Sequence, residues 1–281
     1  MNAPTYPAVA PAPPAVRNHH VVRLRGRSAI ALAVASATGL LAFCWPLLVQ
    51  TTSPLAQMSE APVVLALLLP LLVAVVLAEV ADHGMDAKAV ALLGVLAAVG
   101  AALRPLGTGV AGFEPVFFLL VLAGRALGRG FGFVLGALTL FASALLTGGV
   151  GPWLPFQMFG AAWVGFLAGC LPPARGRREV VLLAAYGAVA GLFYGFLLDL
   201  SFWPYATGLA SGVSYVPGGG LGENLGRFLA FWLTTSLGFD LPRALTNAVL
   251  VVLAGPAVLL ALRRAARRAA FDAPVEFDRA S

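Results

Sequence analysis

Charge is what this chain has least of. Aspartate, glutamate, lysine and arginine make up 11% of its 281 residues, against about 25% in a soluble domain. Histidine occurs three times and cysteine twice. No Cys/His cluster has zinc spacing and there is no H-E-x-x-H, so no metal site is expected. The histidines, His19, His20 and His83, fall in a tail and a turn. A G-x-x-x-x-G-K-[ST] phosphate loop is also missing, which excludes ATP hydrolysis of that kind by the chain itself. No paired carboxylates or nucleophile–base arrangement stands out, so catalytic residues and cofactors are not expected.

What is present is apolar. Hydrophobic residues make up 60% of the chain, and mean hydropathy is +0.90. The charges are segregated, leaving apolar runs near the roughly 20 residues that span a bilayer. The composition predicts an all-α polytopic membrane protein, without nucleic acid as a partner. About eight spans are expected, at 29–49, 62–80, 87–103, 112–127, 131–147, 154–171, 179–200 and 242–262. Residues 1–28 read as a disordered cytoplasmic tail, 29–85 as an N-terminal hairpin, 86–264 as a six-helix core and 265–281 as a second tail. The tail's Arg23, Arg25 and Arg27 resemble a signal-peptide n-region, but the run after them is long and lacks a small-residue exit, favouring a retained helix. Cys44 and Cys170 lie in apolar segments and read as buried thiols.

Orientation follows from counting cations. With the N-terminus in the cytoplasm and eight alternating spans, Arg104, Arg227 and Arg243 fall outside. The other 15 of the 18 Lys and Arg residues fall inside. That bias satisfies the positive-inside rule and places both termini in the cytoplasm of a cell-membrane protein. The stretch Thr147-Gly-Gly-Val-Gly-Pro-Trp-Leu-Pro-Phe-Gln-Met158 then breaks the helix on the outer side. Non-helical backbone at membrane depth needs protein or a water-filled cavity to satisfy it, so an external cavity is expected here.

The longest outer segment, 201–241, carries Trp203, Tyr205, Tyr215, Glu223, Asn224, Arg227 and Trp232 around Pro217-Gly-Gly-Gly220. Within it, 227–239 reads as an interfacial or re-entrant helix rather than a ninth span. A loop this long is more often functional than idle. Glu79, Glu179 and Asp199 read as lying at span ends, leaving no proton-relay carboxylate at mid-membrane. The outer ends bring forward Arg104, Phe113, Glu114, Trp153, Phe156, Gln157 and Asn247 as candidates for a small-molecule site. The aromatics fit either such a site or an interfacial belt. The amides of Gln157 and Asn247 fit either a ligand or a bond between helices. Small residues recur at four-residue spacing, as in Ala87-x-x-x-Ala91, which permits close helix approach.

The run LRPLGTGVAGFEPVFFLLVLAGRALGRGFGFVLGALTLFASALLTGGVGPWLPFQMFGAAWVGFLAGCLP resembles the substrate-binding S component of energy-coupling factor (ECF) transporters, actinobacterial type. Asp240, Arg243 and Asn247 in FDLPRALTNAVLVVLAGP fit the same pattern. The resemblance covers about 86–264 and leaves 1–85 as an addition to the compact family pattern. It implies capture of a vitamin or related micronutrient from outside, at the outer loops and outer helix ends. Delivery then runs through a transmembrane coupling protein and two ATPases, with Ala87 and Ala91 on the face that meets the coupling protein. It further implies that Trp153, Phe156 and Gln157 point into the cavity, the aromatics stacking on a ring and Gln157 bonding its polar edge. The family's metal-binding branch begins Met-His with an external N-terminus; this chain begins Met-Asn with that end expected inside. The competing readings are a stand-alone transporter or channel and a membrane enzyme or assembly factor.

Overall fold

The computed structural model describes residues 26–48, 61–82, 87–107, 112–206 and 208–269. Residues 1–25 and 270–281 of the expected tails (1–28 and 265–281), and His19, His20 and His83, lie outside the described residues. The described secondary structure is helical: α1 (Gly26–Phe43), α2 (Trp45–Leu48), α3 (Ala61–Asp82), α4 (Ala87–Leu103), α5 (Val116–Leu127), α6 (Arg129–Thr147), α7 (Leu154–Cys170), α8 (Arg177–Phe202), α9 (Leu221–Phe231) and α10 (Leu237–Ala269). Short 3-10 turns follow α4 and α8. Among the described residues, four helical stretches are long and apolar enough to cross a membrane: 87–107, 129–147, 177–205 and 221–267. Leu67, Val95, Leu145, Val181 and Leu253 stay exposed on these and neighbouring helices. Large apolar side chains on the outside of a bundle fit a hydrocarbon surround, in which every backbone group must bond internally.

Close approach of α6 and α7 depends on glycine. A Cβ on Gly136 would lie 2.3 Å from the Ala161 carbonyl oxygen, and one on Gly165 would lie 2.2 Å from that of Gly132. Backbone meets backbone there, as small residues allow at membrane helix interfaces. The core fills with Phe117, Phe131, Phe133 and Phe159, each at most 1% exposed. Tyr186 adds a cross-link by donating to the Val164 carbonyl at 2.6 Å.

The N-terminal helices are docked on this core. Phe43 is fully buried, its ring 5.0 Å from that of Phe156 and 5.6 Å from that of Trp163. Trp163 Nε1 donates to Ser36 Oγ at 3.1 Å.

The largest departure from the sequence reading lies at 221–269. No separate short helix at 227–239 is followed by a new span at 242; α9 runs through a π-helical turn, Trp232–Ser236, directly into α10. The extra residue of the turn is absorbed locally. Thr234 and Thr235 hydroxyls bond back to the carbonyls of Ala230 and Phe231, at 2.7 and 2.5 Å. Pro242 and Pro256 sit inside α10, so neither proline starts or ends it. The same helix runs to Ala269, five residues past the expected end of the core at 264. Cys170, expected buried, is exposed where α7 ends, and Cys44 is half-buried.

Candidate functional site

One end of the bundle gathers the start of α7, the end of α8 and the α1–α2 corner. The Gly/Pro break leads in. Gly148 takes a left-handed φ of +66° to end α6, and Gly149 N–H donates to the Ala144 carbonyl at 2.9 Å. Gly151 lies against the Trp153 indole, where any Cβ would come within 2.5 Å of the ring. Trp153 Nε1 closes the turn onto the Gly149 carbonyl at 3.1 Å.

A cavity of about 500 Å³ opens beside this turn. Trp153, Phe156 and Gln157 line it from α7, Leu198, Asp199, Ser201 and Phe202 from α8, with Pro152, Tyr205 and Trp45 completing the wall. Such a size and lining suit a small organic ligand. Arg104, at the end of α4, donates from Nη2 to Gln157 Oε1 at 2.8 Å. The carbonyl of Gln157 is thereby engaged, and its amide NH2 has no protein acceptor among the described residues.

Of the residues singled out from sequence, Trp153, Phe156, Gln157 and Tyr205 line the cavity, with Arg104 behind Gln157. The others have different positions. Trp203 is 1% exposed and donates to the Val213 carbonyl at 2.7 Å, packed against Phe228 and Tyr215. Tyr215 sits between Trp203 and Trp45, with ring centroids at 5.4 and 6.2 Å, and burial raises its phenol above the usual pKa. Asn224 is a loop clamp. Its Oδ1 accepts from Val216 N–H at 3.1 Å while its Nδ2 donates to the Val216 and Gly219 carbonyls. Asn247 is fully buried and donates to the Gly187 carbonyl of α8 at 3.4 Å, a bond between helices. Phe113 and Glu114 precede α5, outside the cavity lining. Ala87 and Ala91 are exposed on α4.

Glu114 is the partly exposed member of an otherwise buried ionic cluster near the cavity. Arg243 Nε and Nη2 reach its two carboxylate oxygens at 3.0 and 3.3 Å. Arg243 Nη1 also pairs with Asp240 Oδ1, whose other oxygen accepts from Trp232 Nε1 at 2.8 Å. The guanidinium lies 5.7 Å over the Tyr194 ring, a cation–π distance. Gly195 of α8 makes room for this cluster, since a Cβ there would lie 1.8 Å from Asp240 Oδ1.

Sequence reasoning passed over Asp199 and Trp45. Asp199 was read as one more helix-end acid, yet it faces the cavity; a lone carboxylate in FYGFLLDLSFW was its signal. Trp45 is distant in sequence from Tyr205 and Tyr215, whose rings it meets, and only docking of the N-terminal helices brings it there. The opposite end of the bundle is held by Glu179, which accepts from Arg125 at 2.8 Å and from Arg263 at 2.6 Å.

A helical chain with lipid-type outer faces and a cavity of small-molecule size at one end defines a polytopic membrane protein. Residues 88–255 match the family described as ECF transporter, substrate-specific component. That match spans more than half of the chain, and the protein belongs to this family. No curated protein and no solved structure matches the chain.

Proposed function

We propose that the protein captures a vitamin or related micronutrient in the cavity beside Trp153, from the outer side of the cell membrane. A transmembrane coupling protein and two ATPases complete the transporter and drive uptake. The observation that carries this reading is the aromatic-lined cavity of about 500 Å³, built at the Gly/Pro break of a family whose members bind transported substrates. Trp153, Phe156 and Tyr205 supply flat apolar wall, and Gln157, braced by Arg104, supplies a hydrogen-bond donor. Trp203, Tyr215 and Asn224 support this site by shaping the loop around it, and the cluster of Phe113, Glu114, Arg243 and Asn247 fixes the helices below it.

The division into an N-terminal hairpin and a core at 86–264 belongs to the same reading. So does an inward-facing cluster of Arg125, Glu179 and Arg263 at the far end, with both termini in the cytoplasm. On α4, the exposed positions Ala87, Ala91, Gly94 and Ala98 form a smooth stripe on which another helix can approach closely. That stripe is the proposed contact with the coupling protein.

Affinity purification of the full chain from its own host, with mass spectrometry of proteins and small molecules together, tests the proposal. The expected result is a coupling protein, two ATPases and one bound metabolite. A chain that purifies alone and transports substrate alone in proteoliposomes overturns it in favour of a stand-alone transporter.

A further inference from the structure

The cavity has a charge imbalance. Asp199 is the one ionisable acid or base in its lining apart from the Tyr205 phenol. Four carboxylates (Glu114, Asp199, Glu223, Asp240) and three guanidiniums (Arg104, Arg227, Arg243) gather around this end of the bundle, with Glu223 and Arg227 paired to each other. Arg243 is taken by Glu114 and Asp240 together. Arg104 points its Nη2 at the neutral Gln157. Among the described residues Asp199 has no ion-pair partner; the Ser236 hydroxyl is a hydrogen-bonding neighbour, and both Asp240 and the already paired Arg243 lie within electrostatic range. A carboxylate taken out of bulk water without a counter-charge is unfavourable, and an ionisable group within a membrane helix is a functional candidate by default.

The walls around Asp199 are aromatic: Trp45, Trp153, Phe156, Phe202 and Tyr205. Indole and phenol faces attract cations as well as flat rings. Trp45 does not belong to residues 88–255, the part matched by the family. It comes from the N-terminal hairpin, with its ring 6.0 Å from that of Tyr205. Its position is held by its neighbour Phe43, buried against Phe156 and Trp163, and by the Ser36–Trp163 bond. The N-terminal helices therefore supply part of the cavity wall.

We infer that the cavity takes a flat heteroaromatic ring carrying a positive charge, with Asp199 as its counter-ion and Trp45 of the N-terminal hairpin as part of its aromatic wall. This rests on the reading of the cavity as the substrate site. A negatively charged ligand would meet an unpaired carboxylate, and a neutral ring would leave Asp199 uncompensated.

Calorimetric titration of the full chain in detergent tests the inference with four probes. Thiamine and N-methylnicotinamide are rings with a fixed positive charge, riboflavin is neutral and biotin is anionic. The expected result is saturable binding of at least one cationic ring and none of riboflavin or biotin. Asp199→Asn, nearly isosteric, weakens that binding at least tenfold. Trp45→Ala weakens it by a similar factor and Trp45→Phe by much less, with elution volume and thermal midpoint unchanged. Binding of riboflavin or biotin at an affinity that Asp199→Asn leaves intact overturns the charge assignment, as does no binding of either cationic ring. An unchanged affinity in Trp45→Ala overturns the role of the hairpin. Recovery of the coupling protein and ATPases with the chain tests the transporter reading separately, so either can fail while the other stands.

Discussion

Replacing Arg243 by methionine keeps much of the side-chain volume and deletes one charge at the centre of the ionic cluster. Arg243 is 8% exposed and Asp240 2%. Without the guanidinium, Asp240 keeps a single neutral donor, Trp232 Nε1 at 2.8 Å, and Glu114 loses both contacts. Removing one member of a buried pair costs about 3–5 kcal/mol, mostly because the other charge is left uncompensated. At roughly 2–4 °C per kcal/mol for a chain of this size, the thermal midpoint should fall by about 6–20 °C. The assay is loss of the monodisperse peak on size exclusion after heating in detergent, with every variant treated identically. Asp240→Asn combined with Arg243→Met removes both charges of the pair and should recover part of the loss, as double-mutant logic requires. Glu114→Gln alone should cost less, because the Glu114 side chain is 32% exposed. A midpoint within about 2 °C of the parent for Arg243→Met, small against the predicted shift, would refute the reasoning. So would a double variant no more stable than the single one.

Two further substitutions test packing and docking. Gly136→Val should abolish a monodisperse peak, because even one carbon there lies 2.3 Å from the Ala161 carbonyl oxygen; Gly226→Ala, with nothing within 4 Å of its added carbon, should leave the peak unchanged. Ala91→Leu places bulk on the exposed stripe of α4 and should remove the coupling protein from the purified complex without altering the chain's own elution. Retention of the full complex would count against that face as the contact.

Some of this was legible in the sequence because it depends on local pattern. Apolar runs with segregated charge reveal membrane helices, since the bilayer selects for length and hydropathy along one segment at a time. The break at Gly148–Pro152 was legible for the same reason. Trp153, Phe156 and Gln157 follow it directly and do line the cavity. Asn247 was legible only as an amide needing a partner, and Asn224 only as a polar residue of the long 201–241 segment. Whether their partners were a ligand or backbone depended on chain segments elsewhere, and both turned out to bond backbone carbonyls. The π-helical turn was hidden because Pro242 reads as a helix start, whereas its helix is already formed from Leu237 and holds the proline inside.

By itself, then, the sequence determined the solvent, the helical class and the place where the chain breaks beside the cavity, all of which are properties of contiguous residues. Tertiary structure decided which charges are neutralised and which are not. Asp240, three residues before Arg243 on the same helix, is a partner the sequence itself suggests, but only packing decides that Glu114, and not Asp199, takes the remaining guanidinium donors. It also decided that Trp45, more than 100 residues from Trp153 and Tyr205 along the chain, shares a wall with them. Ion pairing and cavity lining act through space over a few ångströms, and no pattern along the chain records distances of that kind.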